Sequence, residues 1–192
     1  MSQTQSGEGR RLVALSTGIG EMAFGRAEYL DADEEAAKRE ALRLFNAAYE
    51  AQMRGELDAA ADLYRQSIAA YPTAEAHTFL GWAYSFMKRT DDAIAECLRA
   101  IEVDPDFGNP YNDIGAYLIE KGDLLSAVPW LRRAMNAPRY EAAFYPHFNL
   151  GRVYEAERRY LDALDQYEAA VQLNPQYALA ARALRRLQSK VN

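Results

Sequence analysis

Large and small side chains alternate along the chain in a pattern that repeats about every 34 residues. Leu80-Gly81, Ile114-Gly115 and Leu150-Gly151 are spaced 34 and 36 residues apart, and Ala47-Ala48 extends the series backwards by 33. If each of these small residues marks position 8 of a 34-residue unit, units start at Ala41, Ala74, Gly108 and Phe144. The period predicts a repeat array of four units.

The remaining positions of the unit predict two antiparallel helices. Position 20 holds Ala60, Ala93, Ala127 and Ala163, and position 27 holds Ser67, Ala100, Ala134 and Ala170. Small side chains at these positions allow two helices to approach closely. Positions 11 and 24 hold mostly large side chains. Position 11 holds Ala51, Tyr84, Leu118 and Tyr154, and position 24 holds Tyr64, Cys97, Leu131 and Tyr167. The units close on Pro72, Pro105, Pro138 and Pro175, which end helices because proline lacks an N–H.

The pattern places eight helices in the units and a ninth behind them. The predicted bounds are 32–54, 57–70, 74–87, 91–103, 110–121, 124–136, 146–157, 161–173 and 177–190. In the ninth helix, Leu179, Ala183, Leu184 and Leu187 alternate with Arg182, Arg185 and Arg186. This pattern predicts a capping helix with one face on the last unit and the arginines towards water.

The first residues differ in composition from the rest. Five of the 11 glycines fall within the first 32 residues, and Asp31 is placed to cap a helix whose first turn is acidic. We therefore predict a flexible N-terminal tail over 1–31, four units over 32–175 and a capping helix over 176–192. The apolar residues of the tail are Leu12, Val13, Leu15, Met22 and Phe24.

Over residues 41–175 this pattern resembles the tetratricopeptide repeat (TPR) family. The resemblance implies an all-α fold, a right-handed α-solenoid of four helix-pair repeats with a C-terminal capping helix. Individual units depart from the family pattern at Ala47, Ala51, His77, Cys97, Arg139 and His147. These departures weaken single units and leave the array intact.

The resemblance also implies a concave surface lined by the first helix of each unit at positions 2, 5, 6, 9, 12 and 13. The candidate groove residues are Phe45, Tyr49, Met53, Phe79, Trp82, Phe86, Asn112, Asn149 and Arg152. The first half is aromatic and suits hot spots of binding, and the second half is polar. The alternative, that some rings pack against neighbouring helices or the tail, stays open. The carboxylate clamp of some family members is not matched, because the positions that would hold its Lys, Arg and Asn residues hold Phe45, Tyr49, Phe79, Asn109 and Asp113. The asparagine ladder of others is not matched either, because only Asn149 lies at position 6 and Asn112 is displaced by one.

Composition and charge narrow the class of function. The chain is 49% apolar and 26% charged with a net charge of -6, which disfavours a general nucleic-acid or anionic-membrane surface. No apolar run is long enough to span a bilayer, and we expect a cytoplasmic protein. The sequence contains no enzyme signature. It has one cysteine and two histidines, and its glycine-rich stretch at 16–20 lacks the ending of a phosphate loop. We expect no catalytic residue, no metal and no cofactor.

Two functions remain from different classes. The leading hypothesis is a non-catalytic scaffold or adaptor that binds a protein or peptide ligand in its groove. The alternative is a self-assembling or autoinhibited adaptor whose tail occupies the groove of its own or another copy, which would make a homo-oligomer. An enzyme with its site in the tail or in the insertion at 139–145 is a third, weaker hypothesis.

Overall fold

The computed structural model describes residues 32–191, which form nine α-helices. They are α1 (Ala32–Met53), α2 (Leu57–Ala70), α3 (Ala74–Phe86), α4 (Thr90–Val103), α5 (Asn109–Glu120), α6 (Leu124–Met135), α7 (Phe144–Ala156), α8 (Tyr160–Leu173) and α9 (Ala178–Val191). Every end lies within two residues of its predicted position, and the predicted all-α solenoid is confirmed. The predicted tail, residues 1–31, lies outside the described residues, and the division into tail, units and cap stays a prediction.

The helices pack as four antiparallel pairs that stack in chain order. Within each pair the first helix, here called the A helix (α1, α3, α5, α7), contacts the second, the B helix (α2, α4, α6, α8). Each B helix then contacts the next A helix, and α9 covers α8. Successive A helices also contact one another. The A helices therefore line the inner side of the solenoid.

Close approach of the two helices in a pair explains the small residue at position 8. A Cβ atom added at Gly151 would lie 2.6 Å from ring carbons of Tyr167, and one added at Gly115 would lie 2.5 Å from a methyl carbon of Leu131. Both neighbours occupy position 24 of the same unit. The large residue at position 24 therefore fits only because position 8 has no side chain.

The turn between A and B helices has the same backbone conformation in all four units. Position 15 has a positive φ in each, 81° at Gly55, 63° at Lys88, 83° at Gly122 and 62° at Arg158. Only two of these residues are glycines, and a side chain in this left-handed region costs about 1 kcal/mol or more. The second and fourth units keep the turn despite this local strain.

Both histidines join the two helices of their own unit. His77 Nδ1 lies 2.7 Å from Glu96 Oε2, and His147 Nδ1 lies 2.9 Å from Gln166 Oε1. Each pair connects position 4 of an A helix with position 23 of its B helix. Cys97 is fully buried, and burial raises the pKa of its thiol well above the ordinary value. These three residues therefore have structural surroundings.

The insertion before the last unit is held by Arg139. Its guanidinium pairs with Asp104 and, at 2.5 Å, with Glu75, and it lies 5.0 Å from the ring centre of Phe107. The backbone pairs as well, because Gly108 N–H donates to the carbonyl of Arg139 at 3.0 Å. The loop between α6 and α7 is thereby attached to the start of α3 and to the loop between α4 and α5.

Candidate functional site

Two of the predicted groove aromatics belong to the core. Phe45 and Phe79 are only 4% and 6% exposed, and their ring centres are 5.1 Å apart. Phe45 also packs on Tyr64 of α2 at 5.5 Å. For these two rings the structure favours the alternative of packing against neighbouring helices. Both rings pack beneath the accessible side chains of the groove and expose little surface to a ligand.

The accessible part of the inner side follows positions 9 and 13 of the A helices. Position 9 is half-buried in every unit and position 13 is exposed in every unit. Position 9 holds Tyr49, Trp82, Ala116 and Arg152, and position 13 holds Met53, Phe86, Glu120 and Ala156. We call these eight residues the inner row.

The first half of the inner row is apolar. Tyr49 and Trp82 both pack on Phe79, with ring centres 5.9 and 5.2 Å apart. Beside them, Met53 and Phe86 are 39% and 52% exposed. Clustered exposed apolar side chains of this kind are typical of a binding surface.

A chain of polar side chains, here called the polar relay, links the last two A helices. Arg152 donates to Asn149 Oδ1 at 3.1 Å, and Asn149 Nδ2 donates to Asn112 Oδ1 at 3.1 Å. Asn112 Nδ2 donates in turn to Asp113 Oδ1 at 3.2 Å. The structure thus brings together all three predicted polar residues of the groove, with Asn112 and Asn149 buried side by side.

One geometric rule accounts for both the aromatic and the amide pairs. Phe45 and Asn112 occupy position 5 of their units, whereas Phe79 and Asn149 occupy position 6 of the following units. Position 5 of one A helix therefore faces position 6 of the next. Asn112 is displaced by one position from Asn149, so the two residues do not form an asparagine ladder. The same offset places their amides where they bond to each other.

Asp113 ends the polar relay. Its sequence position, 6, belongs to the inner side, but it is not among the nine candidate groove residues. It is 8% exposed, and its Oδ2 atom has no hydrogen-bond partner within 32–191. Burial raises the pKa of this carboxyl to about 7, against smaller lowering contributions from Asn112 and Trp82. The sequence signal for this residue is its acidic side chain at position 6, because the same position of the second unit holds the apolar Phe79.

The polar relay retains unused hydrogen-bonding capacity. Each of the two amides uses one of its two N–H groups inside the relay, and among residues 32–191 Arg152 donates only to Asn149. In the part of the chain that the structure describes, no group of three or more His, Cys, Asp or Glu side chains is placed to hold a metal ion. The inner row and the polar relay offer apolar surface and N–H donors, which are groups suited to non-covalent recognition.

The stacked helix pairs form an α-solenoid, an architecture typical of protein-interaction scaffolds. Residues 74–107 and 144–177 each match a sequence model of the tetratricopeptide repeat. The chain therefore contains tetratricopeptide repeats over these two ranges. No curated protein sequence matches it.

Solved structures share the fold at low sequence identity. PilF of Pseudomonas aeruginosa superposes with a TM-score of 0.73 at 21% identity, over 82% of this chain and 70% of that chain. YrrB, described as a TPR protein with an unusual peptide-binding site, gives 0.61 at 18% identity, over 76% and 74%. The first TPR of Spaghetti (RPAP3), bound to the HSP90 peptide SRMEEVD, gives 0.56 at 18%, over 62% and 93%. Within 32–191, no helix is long and apolar enough to cross a membrane.

Proposed function

We propose that the chain is a non-catalytic scaffold that binds a peptide or helix of a partner protein along the inner row. The observation that carries this proposal is the exposure of Met53 and Phe86 next to the half-buried rings of Tyr49 and Trp82. Two structural neighbours, described as peptide-binding or peptide-bound, agree with it.

The two halves of the inner row have different tasks in this proposal. The apolar half supplies affinity, because a partner side chain placed on Phe86 and Met53 removes exposed apolar surface from water. The polar relay fixes orientation, because N–H groups of Asn112, Asn149 and Arg152 that make no hydrogen bond within 32–191 can bond to carbonyl oxygens of a peptide. Phe79 packs on the rings of Tyr49 and Trp82, and Phe45 packs in turn on Phe79.

The proposal is tested with peptides selected from a random display library on the full chain. Phe86→Ala removes an exposed ring without disturbing the core, and we expect it to weaken the selected peptides about 30-fold, equivalent to about 2 kcal/mol. Leu125→Ala on α6 is the matched control, because Leu125 is 79% exposed but lies on a B helix. Equal affinity of both variants and the wild type, or no selectable peptide, would refute groove binding.

The alternative of self-assembly depends on tail residues Leu12, Val13, Leu15, Met22 and Phe24, which lie outside the described residues. It stays a prediction, as does the cytoplasmic location. The mass of the full chain and of a variant lacking residues 1–30, measured by light scattering, tests it. An unchanged mass and unchanged peptide affinity would remove the alternative.

A further inference from the structure

The inner row is interrupted at the third unit. Position 9 holds the large side chains of Tyr49, Trp82 and Arg152 in the other three units, but it holds Ala116 in the third. Ala116 is half-buried, and its small side chain leaves a gap in the row between Trp82 and Arg152. We call this place the Ala116 gap. A long side chain of a partner has room to lie across it.

Two carboxyl groups border the Ala116 gap. Asp113 and Glu120 lie three residues before and four residues after Ala116 on α5, and these spacings place all three residues on one face of the helix. Glu120 is exposed at position 13. Asp113 is buried, and its Oδ2 atom has no hydrogen-bond partner within 32–191. The gap therefore has one carboxyl group at its surface and a second one beneath it.

The cations near the gap are engaged elsewhere. Lys121, the residue after Glu120, pairs with Asp91 on α4. Arg152, on the far side of the gap, donates to the neutral Asn149. When both carboxyl groups of the gap are ionised, they outnumber the single guanidinium beside them. The Ala116 gap therefore favours a positively charged group of a ligand.

Trp82 forms an aromatic wall of the gap. Its half-buried ring packs on Phe79 with centres 5.2 Å apart, which leaves part of the indole accessible. Burial raises the pKa of Asp113, and hydrogen bonding from Asn112 and Trp82 acts in the opposite direction, so the indole adjoins this carboxyl. A guanidinium stacks on aromatic faces and donates paired N–H bonds to a carboxylate, which an ammonium group does not. The walls of the gap therefore fit arginine better than lysine.

We propose that the Ala116 gap binds an arginine side chain of the partner peptide, with the guanidinium paired to Glu120 and stacked on Trp82. Asp113 adds negative charge from beneath the gap. The inference rests on the proposed function and specifies a residue that the partner carries beside its apolar anchors on Met53 and Phe86.

The test compares the peptides that a random display library yields on the full chain and on its variants at pH 8, where Asp113 with its pKa of about 7 is ionised. We expect arginine to be enriched on the wild type. Glu120→Lys should lose this enrichment and favour acidic residues, and Ala116→Leu should lose it by filling the gap while both carboxyl groups remain. Glu102→Lys, at an exposed position of the B helix α4, is the matched control and should keep the enrichment.

A double-mutant cycle assigns the arginine to Glu120. For one peptide selected on the wild type, we expect Glu120→Gln to weaken binding about fivefold. Replacing the arginine of the peptide with the neutral citrulline should have the same effect, and the two changes together should cost no more than either alone. Losses that add up would overturn the inference.

Two outcomes of the selection separate this inference from the proposed function. Peptides that respond to Phe86→Ala but show no enrichment of arginine, or show lysine in its place, would overturn the inference and leave groove binding intact. Failure to select any peptide, or peptides that ignore Phe86→Ala, would refute groove binding and the inference with it.

Discussion

Replacing Asp113 with Asn removes a carboxyl group whose burial makes the stability of the fold depend on pH. The pKa of this group is raised from 3.8 to about 7 in the folded protein. Roughly 3 pKa units at 1.36 kcal/mol each correspond to about 4 kcal/mol. This is a large share of the stability of a protein of this size.

The direction follows from the two ionisation states. In the unfolded chain the carboxyl ionises near its ordinary pKa, whereas the folded protein keeps it protonated up to about pH 7. The free energy of unfolding therefore falls as the pH rises from about 4 to about 7, and the loss is complete above that range. Asn at this position has no charge to lose and keeps an acceptor for Asn112.

The assay is urea unfolding at pH 4 and pH 8. We expect Asp113→Asn to resemble the wild type at pH 4 and to be more stable by up to about 4 kcal/mol at pH 8. Asp165→Asn, at an exposed position of α8, is the control and should follow the wild type at both values. A difference between D113N and wild type that is the same at both pH values would refute the assignment.

Two further predictions concern the backbone of the repeat. Lys88→Gly should raise the free energy of unfolding by about 0.5 kcal/mol or more, because glycine adopts the positive φ of this position without strain. Gly122→Ala should lower the free energy of unfolding by about 1 kcal/mol, because it places a side chain at the same positive φ. Urea midpoints identical to that of the wild type would contradict both predictions. Gly151→Ala should destabilise by about 2 kcal/mol, because the added methyl meets the Tyr167 ring, and thermal unfolding with no loss would show that the ring moves aside freely.

The fold was predictable because its determinants are local and periodic. Small residues at positions 8 and 20 and prolines at the ends of units fix where helices approach and stop. In the sequence, a glycine marks the turn at position 15 in only two of the four units. In the other two units Lys88 and Arg158 adopt the same positive φ. A lysine or an arginine with a strained backbone cannot be recognised from its residue type.

The site was less predictable, because neighbouring positions of an A helix differ in what they face. Phe45 at position 5 and Phe79 at position 6 of the following unit face each other between two A helices, whereas Phe86 at position 13 faces solvent. Sequence places all of them on one side of the helix. The bond between Asn112 and Asn149 depends on the offset between stacked units, and the partnership of Arg186 with Glu155 depends on how the capping helix docks. Both are properties of tertiary packing.

We propose above that a partner peptide lies along the inner row of the solenoid. It is tested most directly by mapping backbone amide NMR shifts as a library-selected peptide is added to the full chain. We expect the shifted amides to cluster near Met53, Trp82, Phe86 and Arg152, and the amides near Leu125 and Leu161 on the B helices to stay unchanged. Shifts concentrated on the B helices, with the A helices silent, would contradict it.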